Sequence, residues 1–404
     1  MEMEPLQETA SVLYVLGAVI AGGFGVLGLL RFRNQRNARQ LSQSLAKHQD
    51  YFAYLSVQID EAEALLPPPG SLSQVELRAV QSKLLEWIET IHGRHRDKLT
   101  ALCRDMGLIE MERRRLDSPW HLVRVEAAYH LGVMRAGECT EALLELLERE
   151  TTESTAFVIA RAAAKCAQKP DELHRLMSLL MKQHPHALQL TADILSASSM
   201  DPAPLYAGIL DNETDEAMLR LALVGLSGGN RPYSLAALDR LLLSDAADVR
   251  ISAAKLLLKY PQLLPPGRVG ELLGHPDGEI RAAAAQAAGE HQLLFYIEPL
   301  KASLTDPYWE VRYFSAQSLS RFGLEGFEAL CETARDMKAG PAQDTVWNAI
   351  HEAMDRSAAA AAQEVQQIPQ NNELSRLYRT IFQQNYTSLP ITAESHRFVE
   401  RGTG

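Results

Sequence analysis

One arginine returns along the chain at a nearly fixed interval, and that recurrence limits the fold more than any other feature. Arg250, Arg281 and Arg312 are spaced 31 residues apart, Arg220 precedes Arg250 by 30, and Arg161 follows Arg124 by 37. The 59 residues from Arg161 to Arg220 hold almost two periods, and LQLTADILSA at 188–197 fills the place of a unit that lacks the arginine. Seven units result, and DTVWNAIHEAM at 344–354 is a candidate eighth. Self-similarity at a period of this size marks an array of supersecondary units, each burying its apolar face against its neighbours.

The units share a local logic. In SPWHLVRVEAAYHLG, SDAADVRISAAKLLL, HPDGEIRAAAAQAAG and DPYWEVRYFSAQSLS, a turn containing Asp, Pro or Gly leads into a helix, and a β-branched residue precedes the arginine. Small residues follow, such as Ala127 and Ala128, Ala253 and Ala254, and Ala284 and Ala285. Small side chains on one face let helices approach closely, as stacking demands. Between these segments lie second apolar helices at 236–243, 269–274 and 324–334. Two antiparallel helices per period predict an all-α fold, an α-solenoid of about seven to eight two-helix repeats over residues 100–357.

This pattern resembles the HEAT-repeat family, in the short bacterial form also met in phycobilin lyase-type proteins. The motif D-P-x-x-E-V-R at Asp306 to Arg312 carries the resemblance most specifically. It implies that the arginine and a turn aspartate link adjacent repeats. Arg312 is thereby cast with Asp306 and Arg250 with Asp245, and Arg124, Arg161, Arg220 and Arg281 join them as structural groups. The sequence departs from the pattern at 188–197, which has no arginine, and at His275, which stands where an acidic turn residue is expected.

Ahead of the array, Val12 to Leu30 reads VLYVLGAVIAGGFGVLGLL, nineteen residues without a charge, enough for one transmembrane helix. Glu2, Glu4 and Glu8 precede it, whereas Arg31, Arg33, Arg36 and Arg39 follow. Basic residues favour the cytoplasmic side of a span. The expectation is a retained single-pass anchor in the inner (cytoplasmic) membrane, with residues 1–11 outside and the body in the cytoplasm. Glycines in the span leave anchor pairing, and hence homo-oligomerisation, open. Residues 31–99 read as a helical stalk, interrupted at 67–70 by three prolines and a glycine, which cannot continue a helix. In its second stretch, Ser73 to His92, the stripe Leu77, Val80, Leu84, Ile88 and Ile91 is expected to be core, with a coiled-coil seam as the alternative. Residues 358–404 read as a linker, a short amphipathic helix at Glu373 to Gln384, and a tail. That helix either caps the array or docks on a partner.

No chemistry stands out. Cys103, Cys139, Cys166 and Cys331 are scattered without C-x-x-C spacing, and no histidine pair completes a metal site. Glycine-rich phosphate loops and nucleophile motifs are absent, so no catalytic residue, metal or cofactor is assigned. A net charge of −11, more negative still once the Arg-bearing first 40 residues are set aside, argues against nucleic acid as a partner. Aromatics make up only 6% of the chain, yet Tyr308, Trp309, Tyr313 and Phe314 fall together. Aromatic residues are favoured at binding hot spots, which makes Trp309, Tyr313 and Tyr308 the candidate partner-binding residues. Trp87, Trp120 and Trp347 are assigned to packing. The function these observations favour is a non-enzymatic scaffold for a membrane-associated protein in an envelope complex. The alternative is a bilin lyase-like enzyme holding a prosthetic group in the array's cavity.

Overall fold

The structure, a computed structural model, describes residues 31–32, 35–36, 38–229 and 235–382. The apolar run at 12–30, on which the anchor expectation rests, lies outside the described residues, as does the expected tail. Among the described residues no helix is long and apolar enough to cross a membrane, and none belongs to a strand. The chain forms two compact units that divide after Pro202, where the sequence suggests one array over 100–357. The division falls soon after the segment at 188–197 that lacks the recurrent arginine.

In the first unit, residues 38–47 are helical. They lead into α1 (Gln49–Glu61), α2 (Gln74–Thr90), α3 (Arg94–Asp105), α4 (Leu108–Arg115), α5 (His121–Val133), α6 (Thr140–Arg149), α7 (Glu153–Cys166), α8 (Pro170–Gln183) and α9 (Leu188–Leu195). Helices α5, α7 and α9 pack in succession as one row, with α6 and α8 as a second. The proline-rich turn closes on Gly70, whose φ of +87° suits a residue without a Cβ. Ser73 then starts α2 with a capping box, its hydroxyl accepting from the Glu76 amide while the Glu76 carboxylate accepts from the Ser73 amide. Val80, Leu84 and Ile88 are buried within the unit, so this stripe is core and not a dimer seam.

The second unit contains α10 (Ala203–Asn212), α11 (Glu216–Ser227), α12 (Leu235–Leu241), α13 (Ala247–Leu258), α14 (Arg268–Leu273), α15 (Gly278–Glu290), α16 (Ile297–Ser303), α17 (Trp309–Arg321), α18 (Gly323–Asp336), α19 (Pro341–Gln363) and α20 (Ile368–Phe382). Helices α11, α13, α15, α17 and α19 pack one on the next as a first row, and α14, α16, α18 and α20 follow each other in the second. Each expected unit, the arginine-free segment at 188–197 and the candidate eighth included, supplies one first-row helix. Helix α19 continues to Gln363, beyond the expected end of the array at 357. Helix α20 starts earlier than its hydrophobic pattern suggests and lies on α18 and α19. Its Phe382 packs with Trp347 at 4.8 Å and with Tyr378 at 4.9 Å between ring centroids, so this helix covers the end of the stack.

Close approach within the rows depends on small residues. Ala127, Ala128, Ala253, Ala254, Ala284 and Ala285 are fully buried. Two glycines, each eight positions after an arginine, mark the tightest points. A Cβ on Gly132 would lie 2.7 Å from the Ala162 Cα, and one on Gly289 would lie 2.8 Å from the Ser318 Cα. Beside the second point, the Ser318 hydroxyl donates to the Ala285 carbonyl at 2.7 Å, tying α17 to α15. Because the obstacle is backbone, a side chain at Gly289 forces the helices apart. Gly289→Leu is therefore expected to destabilise the second unit by about 3 kcal/mol or more. Gly228→Ala, at a helix end with open space around it, should change stability by less than about 1 kcal/mol. Urea unfolding midpoints of the two variants check the contrast.

Candidate partner-binding surface

The first row is held by the recurrent arginines, and their geometry decides which surface is left for other work. Arg250 donates from Nη1 to the carbonyls of Ser244 and Asp245 at 2.7 and 2.9 Å. Arg281 makes the same pair of bonds to His275 and Pro276, and Arg312 to Asp306 and Pro307. Arg124 does so with Ser118 and Pro119. Each of these side chains folds back over the turn that starts its own helix and satisfies carbonyls that would otherwise lack donors.

The remaining nitrogens of the guanidinium reach forward. Arg250 bonds Asp277 at 2.9 Å, and Arg281 grips Asp306 bidentately at 2.8 and 2.9 Å. Arg220 pairs with Asp248 at 2.6 Å. For Arg220, Arg250 and Arg281 an acidic partner thus belongs to the following unit, Arg220 also meeting Glu216 of its own helix, which corrects the pairing the resemblance implies. Arg312 meets Asp306 through a carbonyl, and Arg250 meets Asp245 the same way. The carboxylate that answers Arg250 is Asp277, two residues after His275, and His275 itself accepts from the Asp277 amide at 3.0 Å. Arg161 is different, being exposed at the surface of α7.

The aromatic segment divides around the start of α17. Val311 is fully buried, whereas Trp309 is 60% exposed and Tyr313 42% exposed. The two rings sit 6.1 Å apart on one face of the helix. Tyr308 has its ring against Gly278, where a Cβ would lie 2.8 Å away, so it is partly committed to packing. Trp120, expected to pack, is 74% exposed; it stands just before α5, where no neighbouring turn covers it. Trp347 packs beneath α20, as described above.

A groove of about 620 Å³ runs along the first row of the second unit, and it reaches the aromatic segment through Tyr308, Glu310 and Phe314 rather than Trp309 or Tyr313. Its lining repeats by register. Glu279 and Glu310 each stand two positions before an arginine, Lys255 and Gln286 five after, and Lys259 and Glu290 nine after. Lys259 is anchored on the carbonyls of Ser227 and Gly229 at 2.9 and 2.5 Å, and Gln286 donates to Glu290 at 2.7 Å. Sequence reasoning missed this groove, although the signal was present in the repeat alignment as the polar positions that vary beneath a constant arginine.

The sequence also did not single out Glu112, a fully buried carboxylate. It accepts from Gln81 of α2 at 2.5 Å and from Arg115 at 2.7 Å, and it faces His130 of α5 at 3.0 Å. Burial pushes its pKa up, but hydrogen bonds from His130 and Gln81, with the charges of His130 and Arg115, outweigh it and hold the carboxyl below its ordinary value. All its neighbours are partners within the fold, so it ties α2, α4 and α5 together. Burial pushes Cys139 up to about 11 and Cys103 and Cys331 up to about 12, values at which a thiol is not a nucleophile at neutral pH. Among the described residues no three His, Cys, Asp or Glu side chains converge as metal ligands would.

No family model matches the chain, and no curated protein matches it. Among solved structures, one of an engineered protein from structural genomics is similar over 78% of this chain and 97% of its own, with 16% identity and a TM-score of 0.34. The Escherichia coli protein YibA is similar over 70% and 98%, with 12% identity and a TM-score of 0.28. Scores this low carry no argument about fold family or function.

The forward bond from Arg281 gives a prediction in pH. Burial raises the pKa of Asp306, but the hydrogen bonds from Arg281 and the Tyr308 amide, with the charges of Arg281 and Arg312, lower it overall. A carboxylate with a depressed folded pKa contributes stability above its unfolded value, roughly 4, and loses it as pH falls through the folded value. Asp306→Asn should therefore cost about 1–3 kcal/mol at pH 7. The gap to the unaltered chain should shrink near pH 3, as read from urea midpoints at both pH values.

Proposed function

We propose that the protein is a non-enzymatic adaptor: an array of HEAT-like repeats, tethered to the inner membrane by residues 12–30, that holds a partner protein on the first-row face of its second unit. The observation that carries this reading is the pair Trp309 and Tyr313, adjacent and exposed on α17 in a chain where aromatics are scarce. Large rings left in water contribute most when a partner covers them, and aromatic anchors of this kind are characteristic of hot spots. The groove that begins at Tyr308, Glu310 and Phe314 supplies charged groups of both signs.

The tether supports the same reading from the sequence side. Confinement to a membrane raises the effective concentration of an adaptor toward a membrane-bound partner without any further contact. Arg31, Arg36 and Arg39, which follow the apolar run, are exposed and free to meet an anionic cytoplasmic leaflet. Orientation is therefore N-terminus outside, body inside.

Two experiments test the proposal. Crosslinking in intact cells, followed by affinity purification of the full-length chain and mass spectrometry, is expected to recover a specific membrane-protein partner. The Trp309→Ala, Tyr313→Ala double variant should lose it, with affinity reduced about 10- to 100-fold, while its thermal transition stays in place. Retention of the partner by the folded double variant would return both rings to a packing role and sink this surface. Separately, deletion of residues 1–31 is expected to move the body from the membrane fraction to the soluble fraction with helicity intact; continued membrane association would refute the tether.

A further inference from the structure

A cleft in the first unit is independent of that surface and of the adaptor reading. Helices α5, α7 and α9 enclose about 290 Å³, with Phe157, Val158, Leu190 and Ile194 forming an apolar wall. Its floor lies where Gly132 and Ala162 bring α5 and α7 into backbone contact. Two cations, Arg161 and Lys165, point into the same space.

The charge arrangement is unusual for this chain. Several arginines of the first unit are answered by carboxylates: Arg104 by Glu138, Arg149 by Glu145, Arg175 by Glu141, and Arg115 by both Glu112 and Glu126. Arg161 and Lys165 have no ion-pair partner among the described residues, although the chain carries an excess of acid. They stand four apart on one helix face, where like charges repel. Arg135 adds a third cation nearby, with its Nη1 buried and unbonded. Glu89 is the nearest counterweight, but it accepts from the Tyr129 hydroxyl at 2.8 Å. Burial pushes the Lys165 pKa down; Glu89 opposes this, and the charges of Arg135 and Arg161 reinforce it. The folded state therefore tolerates a positive pair, offset only in part by Glu89, at the mouth of an apolar cleft, an arrangement that packing alone does not need.

We propose that this cleft binds an amphiphilic carboxylate, with an apolar body about the size of a phenylalkyl group against Phe157, Leu190 and Ile194 and the anionic head between Arg161 and Lys165. The cleft of about 290 Å³ has room for one such body. A guanidinium fork and an ammonium placed together suit a planar carboxylate, which can accept from both at once. Binding removes the repulsion along α7 as well as burying apolar surface, so head and body act together.

The test uses the full-length protein in a non-ionic detergent and three probes with one phenylpropyl body: 4-phenylbutyrate, 3-phenylpropylamine and 3-phenylpropan-1-ol. Saturation-transfer NMR titration should give a dissociation constant on the order of a millimolar for the carboxylate, and at least about tenfold weaker binding for the amine and the alcohol. Arg161→Gln, Lys165→Gln should lower carboxylate affinity at least about tenfold without lowering the thermal midpoint, because the variant removes repulsion. Equal binding of the three probes, no saturation by the carboxylate at tens of millimolar, or undiminished affinity in the double variant would each overturn the proposal. Should the double variant lose its thermal transition, the ranking of the three head groups on the unaltered chain decides alone.

Discussion

Everything in the second unit depends on one guanidinium being shared between two turns. An arginine that satisfies two carbonyls of its own turn is held in place before its remaining nitrogens reach the next aspartate, so little side-chain freedom is left to lose. The pair Arg281 and Asp306 shows the result, with both side chains largely shielded and both carboxylate oxygens used. A surface ion pair of ordinary exposure contributes little; this one is shielded, bidentate and backed by backbone bonds. It sets the spacing from one layer to the next, and the alanine and glycine contacts between first-row helices require that spacing. The second row has counterparts in Arg268 with Asp239 and Lys301 with Glu332, which join successive second-row helices by the same principle.

Much of this was legible in the sequence because the period is a covalent fact. Spacing placed the arginines, the β-branched residues before them and the small residues after them, and burial of Val311 beside exposure of Trp309 follows from helical geometry. The acid partner was harder. A turn aspartate lies close in sequence to the arginine of its own unit, yet the side chain of that arginine is spent on carbonyls, and the aspartate faces the layer before it. Local order along the chain cannot reveal a bond that crosses between layers. The division after Pro202 left no mark in the sequence, because units of similar pattern occur on both sides. Trp120 misled because large aromatics are usually covered, and the sequence does not say that no turn passes over this one.

The groove was invisible for a different reason. Its lining is a set of register positions where residue type changes from unit to unit, Lys255 against Gln286 and Lys259 against Glu290, while the clamp stays constant. Positions two before and five after the arginine look outward from the row, while at nine after Lys259 also reaches the carbonyls of Ser227 and Gly229. Binding character thus varies at positions that the arginine clamp leaves free. The candidate surface on α17 shows this within one helix, since Arg312 faces the turn while Trp309 and Tyr313 face solvent.

A stack of similar layers has no intrinsic length, because each added layer presents the same kind of face as the one before it. Helix α20 breaks that sequence of faces. By laying Leu374 and Phe382 over α18 and α19, with Trp347 beneath, it replaces a face that another layer could fit with one whose outer side is polar. An uncovered end of this kind, meeting a complementary end on another molecule, would make a head-to-tail contact that does not close on itself and so grows into fibres. The fifteen residues of this helix thus act as a chain terminator for assembly, limiting the second unit to the layers it encodes.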